Sequence, residues 1–341
     1  MRILNVTNLM LRYFGWSSPT SGRSLSFGAL RNNWRICEFS DRDIARFESP
    51  FGIRLLGEWR ANRRLIETCD NFRPDLIICG HCDVIRNATL QEIRRMLPGV
   101  RIVCWDNDPL WTPSTVAHLR RRSTLADALF VTTGGKQIRE FCTGRNVVAY
   151  MPNPADPALE DQNNAQKTVF DRDLVFCGVG DPGDERQALL RQLPEKLPAG
   201  VRFEWFGMAG RPAIWGAQYE AVLAGSRMGL NLNRYEGWPL YSSDRIAQLM
   251  GNGLLTFVYD KGEMRRFFSD GHVAYFTDAA SLARQVAVFC ADDARRQAVA
   301  AAGRVFYHEH FSGQRVVQFI AETALGLPYS HNYLWADEVY R

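Results

Sequence analysis

The sequence predicts an α/β protein made of two domains, each with a doubly wound parallel sheet, that face each other across a cleft. Strand and helix signals alternate in two successive sets, as they do in parallel sheets covered by helices. The length of 341 residues also exceeds what one hydrophobic core usually supports. Between the two sets, Pro152–Pro157 breaks the alternation, and the polar segment up to about Lys167 predicts a linker.

The first set predicts an N-terminal domain over residues 1–152. Apolar runs bounded by turn residues indicate its strands, and apolar residues at helical spacing indicate its helices. The strands are expected at residues 3–6, 35–39, 75–79, 100–105, 128–132 and 147–151, and the helices at 25–30, 55–69, 89–96, 114–122 and 136–142.

The second set predicts a C-terminal domain over residues 168–316. The same patterns give strands at residues 174–177, 202–206, 229–233, 254–258 and 274–276. They give helices that end near residues 193, 223, 251, 290 and 308, followed by an amphipathic helix at 314–325 and an aromatic tail.

Composition narrows the class of protein. The net charge of +4 is small and the basic residues are spread along the chain, so a nucleic-acid-binding protein is not expected. Nearly all of the basic residues are arginine, which suits planar anions such as phosphate, although genome composition explains the same bias. Residues 1–6 are interpreted as a first strand and not as a signal peptide, and no apolar run reaches transmembrane length, so any membrane contact is expected to be peripheral.

The eight cysteines are interpreted as reduced thiols of a cytoplasmic protein. Most of them lie in apolar, strand-like contexts, where free cysteine behaves as a small hydrophobe. The single close pair, Cys79 and Cys82, has no second ligand pair beside it, and no histidine spacing typical of metal sites occurs. We therefore expect neither a metal nor a cofactor.

The stretch from Met228 to Val258 reads as a strand, a polar loop, a helix and a second strand. Ser242 and Ser243 are expected to cap the helix, whose first turn contains Arg245. Such a helix begins at the carboxyl end of a parallel strand, which is where doubly wound proteins bind anions.

This stretch and further motifs along the chain, in their order and spacing, resemble those of GT-B glycosyltransferases, in the group 1 family that includes the spore-maturation type. The resemblance covers most of the chain. It rests on Leu230–Asn233, Ser243-Asp-Arg245-x-x-Gln248, Gly251-Asn-Gly253, Gly271–Phe276, Ala291–Arg295, Ala301–Arg304 and His310-Phe-Ser, and more loosely on Ser40–Asp43, Trp105–Pro109 and Tyr150–Pro154. It implies two Rossmann-like domains, with residues 317–341 packing back toward the N-terminal domain.

The resemblance implies that the C-terminal domain binds a nucleotide-sugar donor. The expected donor site is Gly178, Gly180, Asn233, Arg234, Tyr241, Ser242, Ser243, Arg245 and Gln248. Arg234 and Arg245 would stabilise the phosphate leaving group, and the Gly178-Val-Gly180 turn would let phosphate approach the backbone. The two arginines could instead be structural ion-pair partners. The family typically has Glu at position 248, and Gln keeps an acceptor oxygen but loses the charge.

Three residues of the N-terminal domain are candidates for activating the acceptor hydroxyl. Asp106 and Asp108 follow the strand that ends at Trp105, and His81 follows the preceding strand. An ionised aspartate can accept a proton at neutral pH. Alternatively, Asp108 caps the helix or turn after Pro109, and His81 is a satisfied polar core residue.

The predicted function is therefore transfer of a sugar from a nucleotide-activated donor to a saccharide or protein acceptor. Bacterial surface-polysaccharide or glycoconjugate synthesis is the expected setting. Two alternatives remain open, an epimerase or hydrolase of the same nucleotide sugar and a catalytically silent nucleotide-sugar-binding protein. The sequence leaves the oligomeric state undetermined.

Overall fold

Two parallel sheets organise the chain in the computed structural model, which describes residues 1–17, 20–180, 183–235 and 237–341. Each sheet lies in one of two compact units. The first unit contains Met1–Pro154 together with Ser312–Arg341, and the second contains Ala155–Phe311. The C-terminal segment, although last in sequence, thus belongs to the first unit.

The first unit has a seven-stranded sheet in the order β12-β6-β5-β4-β3-β1-β2. Six strands are parallel, and β12 runs antiparallel to β6. The strands are β1 (Arg2–Thr7), β2 (Arg35–Phe39), β3 (Leu76–Gly80), β4 (Arg101–Asp106), β5 (Ala128–Val131), β6 (Val147–Tyr150) and β12 (Val339–Tyr340). The helices are α1 (Thr20–Arg31), α2 (Asp41–Phe47), α3 (Arg54–Phe72), α4 (Asn87–Met96), α5 (Pro113–Ser123) and α11 (Gly313–Leu325).

Burial on both faces explains the sequence of the central strands. All five residues of β3 are buried, as are all but the first residue of β4, which is why these strands read as continuous apolar runs. Helix α1 packs closely on α11, because a Cβ added at Gly28 would lie 2.2 Å from the Gly313 backbone. That close approach fixes α11 within this unit.

The second unit has a five-stranded parallel sheet in the order β11-β10-β9-β7-β8. Its strands are β7 (Arg172–Cys177), β8 (Phe203–Phe206), β9 (Ser226–Asn231), β10 (Leu255–Tyr259) and β11 (Ala274–Phe276). Its helices are α6 (Arg186–Lys196), α7 (Gly216–Ala224), α8 (Arg245–Gly251), α9 (Ala279–Ala291) and α10 (Asp293–His310). The predicted fold class is confirmed, and most predicted elements overlap observed ones.

The segment predicted to be a polar linker is packed into the second unit. Asn164 is fully buried, and its side-chain amide donates to the carbonyls of Leu223 and Ser226. Glu160 is buried against α8, where its side chain lies beside Gly251. The polar composition of this segment therefore reflects internal hydrogen bonds.

None of the helices in the described part of the chain is both long enough and apolar enough to cross a lipid bilayer.

Candidate functional site

In the second unit, Arg245 marks the point where the direction of the sheet reverses. Strands β7 and β9 are neighbours, but the chain continues from β7 to β8 on one side and from β9 to β10 on the other. Arg245 Nε donates to the Cys177 carbonyl at 2.6 Å, and Nη1 donates to the Leu232 carbonyl at 2.9 Å. The guanidinium therefore bridges the carboxyl ends of both strands, where doubly wound sheets bind ligands.

The Arg245 guanidinium is desolvated, and its hydrogen-bond partners in the described part of the chain are uncharged. Arg245 is 9% exposed, and its guanidinium carbon lies 4.7 Å from the centroid of the Phe176 ring. Burial lowers the pKa of Arg245 to about 10, and the nearby charge of Arg186 contributes to the lowering. Among the described residues, no carboxylate forms an ion pair with Arg245, whose hydrogen bonds go to main-chain carbonyls. A buried cation in this state favours binding of an anion.

Two more arginines share one carboxylate beside Arg245. Arg186 Nη2 lies 2.7 Å from Asp184 Oδ2, and Arg234 Nε lies 3.4 Å from the same oxygen. Burial alone would raise the pKa of Asp184, but Arg186, followed by Arg234, lowers it overall. We call Arg186, Arg234 and Arg245 the arginine cluster, in which Arg186 and Arg234 share the Asp184 carboxylate.

Sequence reasoning missed Arg186 and Asp184. Both lie at the start of α6, directly after the loop that carries the predicted Gly178 and Gly180. The available signal was an acidic and a basic residue in the first turn after a glycine-containing loop. Asp181, which belongs to the same loop, lies outside the described residues.

Gly178 and Gly180 make room for charged side chains. A Cβ at Gly178 would lie 2.6 Å from Arg245 Nη2, and a Cβ at Gly180 would lie 2.5 Å from Asp184 Oδ2. The absence of side chains at these two positions thus lets Arg245 and Asp184 occupy the ends of the loop.

The prediction that Ser242 and Ser243 cap α8 is wrong. Asp244 precedes the helix in a helical conformation, and its side chain accepts no capping hydrogen bond. A capping side chain normally needs an extended backbone to reach the first free N–H groups. Ser242 Oγ instead contacts the Asn231 side chain at 3.2 Å, while Ser243 Oγ is buried without a hydrogen-bond partner among the described residues.

Asn233, Tyr241 and Gln248 shape the loop and the helix after β9. Asn233 Nδ2 donates to the Tyr241 carbonyl at 3.1 Å, which links the two ends of the loop that joins β9 to α8. Gln248 lies on α8 one turn after Arg245, and its Oε1 accepts a hydrogen bond of 2.6 Å from the Tyr219 hydroxyl. The side chain of Gln248 is therefore oriented by Tyr219.

In the first unit, His81, Asp106 and Asp108 come together at the ends of β3 and β4. We call these three residues the acid–histidine cluster. Gly80 at the end of β3 is paired in register with Trp105 on β4. His81 Nδ1 lies 3.9 Å from Asp108 Oδ2, and the Asp108 amide donates to Asp106 Oδ1 at 2.8 Å. The three predicted residues of this unit thus form one group.

Trp105 and Asn107 hold His81 in place. A Cβ at Gly80 would lie 2.0 Å from the Trp105 indole, so only glycine fits beside that ring. The His81 ring meets the Trp105 ring edge-on, with centroids 5.5 Å apart, and His81 Nε2 contacts Asn107 Oδ1. His81 has a φ of 48°, a left-handed conformation that is uncommon outside glycine. Strained positions of this kind concentrate at functional sites.

Asp106 and Asp108 have different environments. Asp106 is 6% exposed, whereas the Asp108 side chain is 58% exposed. Burial raises the pKa of Asp106 to about 6, with the His81 charge opposing this effect and Asp108 adding to it. Asp108 does not cap α5, whose N-cap is Thr112. Asp106 therefore has the pKa expected of a general base that works near neutral pH.

The acid–histidine cluster also has the geometry of a metal site. One ligand atom from each of His81, Asp106 and Asp108 lies within 4.8 Å of the others. Imidazole and carboxylate together suit several divalent cations. The prediction that the protein uses no metal stays a prediction.

Comparisons with known proteins bear on the fold and the family. Residues 186–322 match the model of a family described as glycosyl transferase-like. No curated protein matches the chain significantly.

Solved glycosyltransferase structures match nearly the whole chain. HepE of Anabaena, solved in complex with UDP and glucose, is 12% identical with a TM-score of 0.56, and the match covers 96% of this chain and 100% of HepE. Sucrose-phosphate synthase from Thermosynechococcus elongatus is 12% identical over 96% of this chain and 98% of its own, with a TM-score of 0.59. AviGT4, a glycosyltransferase involved in avilamycin A biosynthesis, is 14% identical over 100% of both chains, with a TM-score of 0.57. The chain therefore shares the GT-B fold of these structures, and its residues 186–322 resemble the glycosyl transferase-like family.

Proposed function

We propose that the protein is a glycosyltransferase that takes its sugar from a nucleotide-activated donor and that the second unit binds this donor. The observation that carries the proposal is Arg245, a buried guanidinium without a carboxylate partner among the described residues, at the reversal point of the sheet. Solved structures of HepE with UDP and with UDP-glucose give independent support for a uridine nucleotide as the first ligand to test.

The arginine cluster would act on the leaving group. As the bond between the anomeric carbon and the phosphate oxygen breaks, negative charge accumulates on the nucleotide diphosphate. Arg245, with Arg186 and Arg234 beside it, provides fixed positive charge. The attraction between this charge and the leaving diphosphate strengthens as the bond breaks. Gln248, oriented by Tyr219, would contact a donor hydroxyl.

The acid–histidine cluster would act on the acceptor. In a transfer that inverts configuration, the Asp106 carboxylate accepts the proton of the acceptor hydroxyl while that oxygen attacks the anomeric carbon. A pKa near 6 leaves Asp106 mostly ionised at neutral pH and still basic enough to accept a proton. His81 and Asp108 would position the hydroxyl and adjust the charge of Asp106.

We further propose that the acceptor is a saccharide or a protein and that the reaction belongs to bacterial surface-polysaccharide or glycoconjugate synthesis in the cytoplasm. All eight cysteines are free thiols in the structure, which is consistent with a reducing compartment.

Nucleotide release, measured with and without acceptor, tests the proposal. A thermal-shift screen of nucleotide sugars first selects the donor, since a bound ligand stabilises the fold by mass action. A transferase should release the nucleotide only when acceptor is added, and the sugar should then appear on that acceptor. Release without acceptor would indicate a hydrolase, isomerisation of the donor sugar an epimerase, and binding without turnover a silent binding protein.

A further inference from the structure

The loop that carries His81 is held by a buried arginine. This loop, residues 81–86, joins the end of β3 at Gly80 to the start of α4 at Asn87. Its first residue, His81, has the left-handed φ of 48° and belongs to the acid–histidine cluster. A residue other than glycine keeps such a conformation only where the surrounding structure enforces it. The contacts that fix the loop therefore decide where the His81 imidazole lies.

Arg122 contacts both ends of this loop. It lies in the last turn of α5 and is 3% exposed. Its Nη2 donates to the carbonyls of Cys82 at 2.8 Å and Ile85 at 2.6 Å, and its Nη1 donates to Asn87 Oδ1 at 2.8 Å. One guanidinium thus ties the residue directly after His81 to the far end of the loop and to the first residue of α4.

The partners of Arg122 explain why this position holds an arginine. Among the described residues, no carboxylate forms an ion pair with Arg122. The accepting atoms are two main-chain carbonyls, a side-chain amide oxygen and, at 3.7 Å, the Cys82 sulfur. A guanidinium offers five N–H donors in a planar fork, whereas the ammonium of a lysine is a point charge. The fork therefore serves acceptors at both ends of the loop, which a single nitrogen reaches less well.

The middle of the loop has separate anchors. Asn62 on α3 donates to the Val84 carbonyl and accepts from the Arg86 amide, each at 2.9 Å. Asp41 Oδ2 accepts from the Val84 amide at 3.3 Å. These three bonds fix residues 84 and 86, whereas the bond from Arg122 fixes the residue next to His81.

We propose that Arg122 is a positioning residue of the acceptor site, which acts through the loop to keep the His81 imidazole in the acid–histidine cluster. Without Arg122, the Cys82 carbonyl loses its bond to the guanidinium, and the left-handed backbone at His81 relaxes. The imidazole then leaves its contacts with Asp108 and Asn107. The kinetic consequence rests on the proposed function, in which His81 positions the acceptor hydroxyl, whereas the placement of the imidazole does not.

Two readouts on Arg122→Met test the proposal at a temperature where the variant is folded. Histidine NMR, with the His81 signals assigned by their loss in His81→Gln, reports the surroundings of the imidazole directly. These signals should move from their wild-type positions, because the ring leaves its edge-on contact with Trp105. The acceptor kcat/KM should fall by about tenfold to a hundredfold, the usual effect of a slightly displaced group in an active site. Donor affinity, measured by calorimetry, should match that of the wild type.

Arg296→Met is the matched control. Arg296 is fully buried in the second unit, where it donates to the main-chain carbonyls of Asn164 and Lys167 and also forms an ion pair. Its loss should lower the melting temperature, as the loss of Arg122 should. It should leave the His81 signals and the acceptor kcat/KM as they are in the wild type.

Arg122→Lys keeps the buried charge but not the fork, and it replaces the methionine variant if that variant does not fold. Unchanged His81 signals in the folded Arg122 variant would overturn the proposal, as would equal changes in Arg296→Met. Moved signals with a wild-type kcat/KM would remove Arg122 from the acceptor site and overturn it too. If the wild type transferred no sugar to any acceptor, the proposed function would fail, and the NMR readout would still decide whether Arg122 positions His81.

Discussion

The two units place polar clusters at equivalent ends of their sheets, but the clusters have opposite chemistry. In the first unit, two carboxylates and an imidazole lie at the ends of β3 and β4. In the second unit, the described residues around the ends of β7 and β9 include three guanidiniums and the Asp184 carboxylate. The doubly wound topology therefore decides where a site forms, whereas the side chains decide whether it holds an anion or exchanges a proton.

The comparison also separates two consequences of burial. Burial lowers the pKa of Arg245 to about 10, so the group stays charged at neutral pH. Burial raises the pKa of Asp106 to about 6, so that group changes charge near neutral pH. In the proposed mechanism, the arginine cluster is thus a fixed positive charge, and Asp106 is the proton acceptor.

The largest expected effect separates catalysis from donor binding. Asp106→Asn should lower kcat by about 10²–10⁴, because the acceptor hydroxyl loses its base. Donor affinity, measured by calorimetry, should stay within error of the wild type. Asp108→Asn is the matched control and should lose much less, because that side chain is mostly exposed. Near-normal turnover in both variants would place the base elsewhere, or would indicate a retaining enzyme.

The second effect concerns the arginine cluster. Arg245→Gln should weaken donor binding by about 1.5–3 kcal/mol, the usual value of a charge-assisted hydrogen bond. Arg227→Gln is a matched control, because Arg227 also donates to two main-chain carbonyls but lies at the Asp293 end of α10. Thermal denaturation of both variants shows whether either substitution lowers the stability of the fold. Unchanged affinity in Arg245→Gln would make Arg245 a structural residue.

The third effect is a pH dependence that belongs to the first unit. A base must be ionised to accept a proton, so kcat should rise about tenfold per pH unit below the Asp106 pKa of about 6 and level off above it. Donor affinity should not follow this curve, because Arg245 remains charged throughout. A pH–rate profile without a break near pH 6, or the same break in the Asp106→Asn variant, would exclude Asp106 as the base.

The fourth effect refines the donor site. Gln248→Glu should change donor affinity by less than about threefold, because a carboxylate accepts the Tyr219 hydrogen bond as the amide does. Gln248→Leu leaves the Tyr219 hydroxyl without that acceptor and should weaken binding by about five- to tenfold. Tyr219→Phe with Gln248→Leu is the control that removes both partners. If Gln248→Leu bound the donor normally, Gln248 would have no part in the site.

The smallest effect is expected from metal removal. Since the arginine cluster supplies positive charge to the leaving group, turnover after dialysis against a chelator should stay within about twofold of the untreated rate. If turnover fell after dialysis and added divalent cation restored it, and if the His81→Gln variant showed no such fall, the acid–histidine cluster would instead be a metal site.

Regular patterns explain how much of the fold the sequence could predict. Strands β2 and β11 were expected with their observed bounds, because each is a short run of apolar or β-favouring residues between turn signals. Strand β12 was missed, since two residues carry no periodicity. Helix α2 was also missed, because only seven residues separate Ser40 from Glu48.

The site was only partly predictable for a related reason. Asp106 and Arg245 were found because they directly follow or begin regular elements. The role of Ser242 as a cap could not be judged, because it depends on whether its hydroxyl reaches the helix or the Asn231 side chain. Likewise, the sharing of Asp184 by Arg186 and Arg234 joins residues some fifty positions apart, which no local pattern encodes.

The position of a bound nucleotide tests the central claim most directly. We would determine a crystal structure of the protein with UDP. The account predicts that the diphosphate lies within hydrogen-bond distance of Arg245, at the ends of β7 and β9, with Arg186 or Arg234 beside it. A diphosphate bound at His81 and Asp106, or one bound in the second unit away from Arg245, would contradict the division of roles between the two clusters.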